Sequence, residues 1–205
     1  MSENVSRVQR GSKVPVVNLP NALTVVRLVL VPVFVVLGLQ SASWTALWAA
    51  FVVFAVAAIT DRFDGELARS WGQITDFGRI ADPIADKALT LSAFVLLSVA
   101  GRLWWWVTVL IIVRELGITL MRFVMLRRAV MAASRGGKLK TALQVTGIFG
   151  LLVPWAAFVP PVLATALDLT AYVLVGLALV VTLVTGADYV REALRLSRAD
   201  PGGRP

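Results

Sequence analysis

The chain has 205 residues, of which 58% are hydrophobic and 16% are charged, and its mean hydropathy is +0.81. Soluble domains average about 45–50% apolar and about 25% charged residues, so this composition excludes an ordinary soluble domain and predicts an integral membrane protein. Cysteine and histidine are both absent, which excludes disulfides, thiol nucleophiles and the usual zinc ligands. Proton transfer and metal binding must therefore use carboxylates, which favour hard cations such as Mg²⁺ or Mn²⁺.

Six apolar segments are long enough to cross a bilayer, which takes about 20 largely apolar residues in a helix. We therefore predict an all-α integral membrane protein with six transmembrane helices, at residues 21–40, 44–64, 80–100, 103–126, 141–159 and 163–187. They form one domain, residues 18–192. The polar ends, a basic N-terminal segment at 1–17 and a C-terminal tail at 193–205, are expected to be flexible.

The orientation follows from the distribution of Lys and Arg. These residues are concentrated before the first segment, in alternate connections and after the last segment, whereas the other connections carry only Arg102. The positive-inside rule then predicts that both termini are cytoplasmic, in a multi-pass protein of the plasma membrane. The net charge of +8 lies on that one face, where we expect it to meet anionic membrane lipids rather than nucleic acid.

Six of the twelve acidic residues lie between the second and third apolar segments, in residues 61–87. Four carboxylates there fall on two helical faces that antiparallel neighbours can bring together near the cytoplasmic boundary. Such a group can hold one or two divalent cations and leave positions for phosphate oxygens. The alternative is a solvated loop in which Asp and Arg side chains pair. The two faces consist of Asp61, Asp64, Gly65 and Ala68, and of Gly78, Asp82 and Asp86.

These residues form the pattern D-x-x-D-G-x-x-A-R, eight further residues, and G-x-x-x-D-x-x-x-D. It resembles the signature of the CDP-alcohol phosphotransferases at every position. The resemblance implies a homodimeric enzyme that transfers a phosphatidyl group from CDP-diacylglycerol to an alcohol and releases CMP. It also implies that two Mg²⁺ or Mn²⁺ ions are bound by Asp61, Asp64, Asp82 and Asp86, with Asp86 as the catalytic base, and that this site faces the cytoplasm.

The same resemblance assigns a CDP-diacylglycerol pocket that includes part of the first helix. Arg69 would bind phosphate through its planar fork of donors, and the glycines would allow a phosphate to approach closely. Arg27, also in the first helix, would pair either with a cytoplasmic-side acid or with phosphate. The pocket residues implied are Asn21, Thr24, Gly65, Arg69, Thr75 and Gly78.

The charged residues inside the fourth apolar segment and after it indicate which kind of acceptor the enzyme uses. Arg114, Glu115 and Arg122 lie within an apolar run, where charged residues are costly and usually functional. With Lys138 and Lys140, the arginines predict a basic pocket for the phosphate of the acceptor. The set R-E, L-R and G-K-x-K-T resembles family members that use sn-glycerol 3-phosphate, which implies phosphatidylglycerol phosphate as the product.

Several alternatives remain open at this stage. Arg114 and Glu115 could be a mutually neutralising pair that fixes helix packing, and Lys138 and Lys140 could be ordinary cytoplasmic charges. The acceptor could be inositol phosphate, serine or phosphatidylglycerol. A cation transporter is a further class, but it would need polar groups on the far side of the membrane, where the sequence has little beyond Arg102 and Asp168.

Overall fold

The computed structural model describes residues 18–40, 43–71, 75–125 and 135–199, with side chains except at 62–69, 76, 79–80, 122–125, 135–138, 192–194 and 196–199. The described ranges are helical, in agreement with the predicted all-α fold. A single 3-10 turn, Trp155–Ala157, lies between the fifth and sixth helices. The helices are α1 (Leu19–Leu39), α2 (Trp44–Ser70), α3 (Asp76–Val99), α4 (Trp105–Met125), α5 (Arg135–Leu152) and α6 (Pro161–Ala199).

In the described part of the chain, side-chain caps are seen at the start of α1 and of α3. The Asn18 Oδ1 accepts a hydrogen bond of 2.9 Å from the backbone N–H of Asn21 at the start of α1. The Thr75 Oγ1 accepts one of 3.0 Å from the backbone N–H of Gly78 at the start of α3. Each cap satisfies an N–H group that the first helical turn leaves without a partner. The caps therefore fix where α1 and α3 begin.

The helices extend beyond several predicted segments. α2 continues from the predicted end at residue 64 to Ser70, α5 begins at Arg135 rather than 141, and α6 continues to Ala199, past residue 192. The reason is that hydropathy measures the apolar length needed to cross a bilayer, whereas a helix can continue into polar sequence. The first part of the signature, Asp61 to Ala68, therefore lies entirely within helix α2.

Four stretches are long and apolar enough to cross a membrane: Leu19–Leu39, Trp44–Asp61, Leu139–Ala157 and Pro161–Arg191. α3 and α4 are the exceptions within the described part of the chain. In α3 the described side chains include three charged ones close together, Asp82, Asp86 and Lys87, and in α4 side chains are described for residues 105–121 alone. The structure thus supports six helices, four of them with the length and composition of membrane spans.

The packing places α1 against α2 and α3, and α5 against α6, with α4 next to α3 and α6. Phe34, Phe54, Phe94, Ile111 and Ile148 are fully buried at the centre of the helical bundle. Large apolar side chains also cover the outside, as expected for a surface that faces lipid rather than water. Examples are Val29, Val52, Val113, Leu120, Val162 and Val180.

The end of the bundle opposite the acidic stretch is tied together by polar contacts. Arg102, in the turn between α3 and α4, pairs with Asp168 of α6 at 2.7 Å. The Tyr172 hydroxyl donates a hydrogen bond of 2.8 Å to the backbone carbonyl of Arg102. Gly101 in the same turn has a φ of 68°, a conformation that glycine adopts at little cost. These contacts attach the turn to α6.

Candidate active site

α1 turns a polar face toward the acidic helices. Asn21, Thr24 and Arg27 are spaced three residues apart, so they lie along one side of the helix, and all three are buried. α1 packs against both α2 and α3. Buried polar groups need hydrogen-bonding or charged partners, and these three residues find theirs on the two neighbouring helices.

Thr24 contacts Asp82, the first of the two signature acids on α3. Its Oγ1 donates a hydrogen bond of 2.5 Å to the Oδ1 of Asp82 and also lies 3.1 Å from the backbone carbonyl of Pro20. Hydrogen bonds to an ionised carboxylate are shorter and stronger than neutral ones. Thr24 therefore orients the Asp82 carboxylate toward α1.

Arg27 contacts the first acidic residue of the signature on α2. Its Nη1 lies 2.5 Å from the Oδ1 of Asp61, and the arginine side chain is 0% exposed whereas the Asp61 side chain is 38% exposed. Of the two partners expected for Arg27, the structure gives the acid. From two residues one helical turn apart, α1 thus contacts one carboxylate of α2 and one of α3.

Gly78 lies where α1 and α3 come closest. The Thr75 Oγ1, which caps α3, donates a hydrogen bond of 2.9 Å to the Oδ1 of Asn21. A Cβ at Gly78 would lie 3.0 Å from that same Asn21 oxygen and 3.6 Å from the Oδ2 of Asp82. The absence of a side chain at Gly78 therefore leaves space beside the Asp82 carboxylate.

The predicted metal site is described in part. The side chains of Asp61, Asp82 and Asp86 are described, whereas Asp64, Gly65 and Arg69 are outside the residues whose side chains are described. Among the described residues, no three acidic side chains come close enough to form a metal-binding group. The chemistry of the donors nonetheless fits a hard cation, because carboxylate and hydroxyl oxygens are the ligands that Mg²⁺ and Mn²⁺ prefer, and Gly78 leaves space next to one of them.

Asp86 lies one turn beyond Asp82 on α3 and has different neighbours. It lines a small pocket between α3, α4 and α5, together with Lys87, Glu115 and Lys140. Thr90, Thr141 and Gln144 also line this pocket. The two signature carboxylates of α3 therefore serve two adjoining regions: Asp82 faces α1, and Asp86 faces the basic pocket.

Glu115 lies at the centre of the charges around this pocket. Its carboxylate accepts hydrogen bonds from Lys87 on α3, from Lys140 on α5 and from the Nη1 of Arg114 at 2.9 Å. Glu115 is 3% exposed. The sequence singled out Glu115 as a charge inside an apolar segment but did not place it in the acceptor pocket, and it did not indicate Lys87. The signal that could have revealed Lys87 is its position directly after Asp86.

Arg114 is held mainly by α6. Its Nε donates a hydrogen bond of 2.8 Å to the backbone carbonyl of Thr182, and its Nη2 donates one of 2.7 Å to the Oγ1 of Thr185. Together with the Glu115 contact, these bonds are those expected if Arg114 belongs to a pair that fixes helix packing. The side chains of Arg122 and Lys138, also predicted in the acceptor pocket, lie outside the described residues.

Residues 17–185 match the sequence profile of a family described as CDP-alcohol phosphatidyltransferase. The match includes α1 to α5 and most of α6, and with them every predicted site residue. The chain belongs to the CDP-alcohol phosphatidyltransferase family. The family resemblance drawn from the spacing of the acidic residues is therefore confirmed.

Within the CDP-alcohol phosphatidyltransferase family, the chain is similar to two groups of named proteins. It is 48% identical over 192 residues to a protein of Mycobacterium tuberculosis (strain H37Rv) named probable phosphatidylglycerophosphate synthase, which covers 91% of this chain and 87% of that protein. It is 41% identical over 141 residues to the CDP-diacylglycerol–glycerol-3-phosphate 3-phosphatidyltransferase of Escherichia coli (strain K12), with 66% and 76% covered.

Proposed function

We propose that this protein transfers the phosphatidyl group of CDP-diacylglycerol to sn-glycerol 3-phosphate and forms phosphatidylglycerol phosphate and CMP. The observation that carries the proposal is 48% identity, over 91% of the chain, to a relative named probable phosphatidylglycerophosphate synthase. The second relative, whose name specifies both substrates, supports the same reaction. The acidic helices and the adjoining basic pocket provide a region for each of the two phosphate-bearing substrates.

The residues have distinct roles in this proposal. Asp86 accepts the proton of the glycerol 1-hydroxyl while that oxygen forms a bond to the phosphatidyl phosphorus and the bond from phosphorus to the CMP oxygen breaks. Asp61, Asp64, Asp82 and Asp86 are the residues that would hold divalent cations. When bound, two such cations offset the negative charge of the phosphate oxygens.

The donor pocket consists of residues from α1, α2 and the start of α3. Thr24 and Arg27 orient two of the carboxylates, so this part of the reaction depends on positioning and on fixed charges. Arg69 binds a phosphate of the donor through its guanidinium group. The remaining residues proposed for CDP-diacylglycerol are Asn21, Gly65, Thr75 and Gly78.

The membrane arrangement is also part of the proposal. We propose that all six helices span the plasma membrane, that both termini and the active site face the cytoplasm, and that the protein is a homodimer.

Because the chain has no cysteine, single substitutions can test the topology. A membrane-impermeant thiol reagent added to intact cells should label Ser43→Cys but not Ser12→Cys or Ser197→Cys, and labelling of the latter two would contradict it. Crosslinking in native membranes tests the dimer.

The reaction can be tested with the purified full chain in phosphatidylcholine nanodiscs. CDP-diacylglycerol is supplied with sn-glycerol 3-phosphate, inositol phosphate, serine or phosphatidylglycerol, and the lipid product is identified by mass spectrometry together with CMP release. We expect phosphatidylglycerol phosphate from sn-glycerol 3-phosphate, in a reaction that EDTA stops and Mg²⁺ or Mn²⁺ restores. Product formation with one of the other acceptors alone would show that the acceptor has been assigned wrongly.

The proposed base has a matched control. Asp86→Asn should lower the rate of CMP release by about a hundredfold or more, the usual contribution of general acid–base catalysis. Asp188→Asn makes the same chemical change at an exposed position on α6 and should keep the rate. A full rate for Asp86→Asn would exclude Asp86 as the base.

A further inference from the structure

The cluster around Glu115 carries more positive than negative charge. Lys87, Arg114 and Lys140 contribute three cations around the carboxylate of Glu115, and the Asp86 carboxylate lines the same pocket, so one positive charge remains. The cluster is also poorly hydrated, since the side chains of Glu115 and Lys140 are 3% and 7% exposed. Positive charge that is buried without compensation is costly. The cluster is therefore suited to bind a further anion.

The three cations are not equally able to bind such an anion. Arg114 uses its Nε and both Nη atoms for Glu115 and for two acceptors on α6. A lysine amine has three N–H donors, and in the described part of the chain Lys87 and Lys140 each direct one of them to Glu115. The two amines thus keep donors for a ligand, and Lys87, which is 25% exposed, lies on the more accessible side.

The two lysines are next to the proposed catalytic base. Both line the same pocket as Asp86, and Lys87 directly follows Asp86 on α3. A phosphate monoester, which is an anion at neutral pH, would be attracted by the positive charge that remains. If its phosphate were bound by the two amines, a short hydroxylated chain attached to it could reach Asp86.

We propose that Glu115 is a positioning residue that selects the acceptor: it holds Lys87 and Lys140 on either side of the pocket so that their remaining N–H donors bind the phosphate monoester of the acceptor. Arg114 acts through Glu115 by fixing it to α6. The inference rests on the proposed function and deepens it, because it adds Lys87 and Glu115 to the acceptor pocket and gives Arg114 a supporting role.

The test uses the KM values of the full chain in nanodiscs. Glu115→Gln should raise the KM for sn-glycerol 3-phosphate by about tenfold or more, since hydrogen bonds to charged groups are the stronger ones, and should leave the KM for CDP-diacylglycerol unchanged. Glu115→Asp keeps the charge on a shorter side chain and should recover part of the affinity. Calorimetric binding of sn-glycerol 3-phosphate without CDP-diacylglycerol should weaken in the same order.

Lys87→Met is a second variant that tests the proposed contact with the acceptor phosphate. It should also raise the KM for sn-glycerol 3-phosphate, and the double variant with Glu115→Gln should lose less than the sum of the two single effects, because both changes disturb the same contact. If Glu115→Gln does not fold, Glu115→Asp decides the question, because it keeps the charge: it should raise the KM for sn-glycerol 3-phosphate and leave that for CDP-diacylglycerol unchanged.

A matched control removes another ion pair between distant parts of the chain. Asp168→Asn breaks the 2.7 Å contact with Arg102 at the opposite end of the bundle, and it should lower the unfolding temperature without changing either KM.

An unchanged KM for sn-glycerol 3-phosphate in Glu115→Gln and Lys87→Met would show that Glu115 only stabilises the fold. A lower KM in Glu115→Gln would show that Glu115 competes with the acceptor, and would also overturn the proposal.

The two proposals fail in different ways. If the wild-type protein makes no phosphatidylglycerol phosphate, the proposed function is wrong. If the wild-type protein makes it and the variants have normal KM values, the function stands and only the role of Glu115 is wrong.

Discussion

Thr24 on α1 donates a hydrogen bond of 2.5 Å to Asp82 on α3. The two residues are 58 positions apart in the sequence, so the contact exists only because α1 and α3 pack together. Thr24, which is not part of the family signature, thus orients one of the carboxylates of that signature. The loss of this hydrogen bond should therefore affect the reaction more than the fold.

The hydroxyl of Thr24 can be removed with little change in shape. Thr24→Val should lower CMP release by about tenfold, since a hydrogen bond to a charged group contributes about 1.5–3 kcal/mol, while Thr24→Ser should stay close to the wild-type rate. The measurement is CMP release at saturating concentrations of both substrates. Equal rates for the valine and serine variants would mean that the hydrogen bond to Asp82 has no role in the reaction.

Gly78 is predicted to tolerate no side chain without a loss of activity. In Gly78→Ala the new Cβ would lie 3.0 Å from the Asn21 Oδ1 and 3.3 Å from the Thr75 Oγ1, so Asn21 or Thr75 must move and the polar contacts beside Asp82 change. We expect CMP release to fall while the unfolding temperature changes little. Gly117→Ala on α4, where a Cβ would meet nothing within 4 Å, is the control and should keep its activity.

The ion pair between Arg27 and Asp61 should respond unequally to removal of its two partners. Asp61→Asn removes the negative charge beside an arginine that is 0% exposed, whereas Arg27→Met leaves a carboxylate that is 38% exposed and can be hydrated. Since removing a charge costs more when its partner is buried than when its partner is exposed to water, Asp61→Asn should destabilise the protein by about 1–3 kcal/mol, and Arg27→Met by less.

Unfolding by denaturant in mixed micelles measures both free energies. A greater loss of stability in Arg27→Met than in Asp61→Asn would contradict this prediction. Both variants should also lower CMP release, because each changes the charge next to the proposed metal site.

The contact between α5 and α6 depends on a glycine. A Cβ at Gly150 would lie 2.6 Å from the Cβ of Ala171, so Gly150→Ala must push the two helices apart. Overpacking of this kind costs about 1–3 kcal/mol. Gly176→Ala, where a Cβ would meet nothing within 4 Å, is the matched control on α6. Thermal unfolding of the two variants should show a lower midpoint for Gly150→Ala alone.

The sequence by itself determined the helical class, the number of helices and the acidic residues of the signature. These features depend on local patterns, namely apolar length and the spacing of residues three and four apart. Arg27, Asp61, Asp82 and Asp86 could all be selected from the sequence as polar residues at the edges of apolar segments. The family followed from the same spacing, since its signature extends over two consecutive helices.

Only the tertiary structure determined which polar and charged side chains contact each other. The sequence could not reveal that Asp82 binds Thr24 while Asp86, one turn away, lines a basic pocket, or that Arg114 donates to the Thr182 carbonyl, 68 residues further along the chain. Helix periodicity gives the face on which a residue lies, but the partner of that face depends on how the helices pack. For charged groups removed from water, that partner determines whether the charge stabilises the fold or remains available to a substrate.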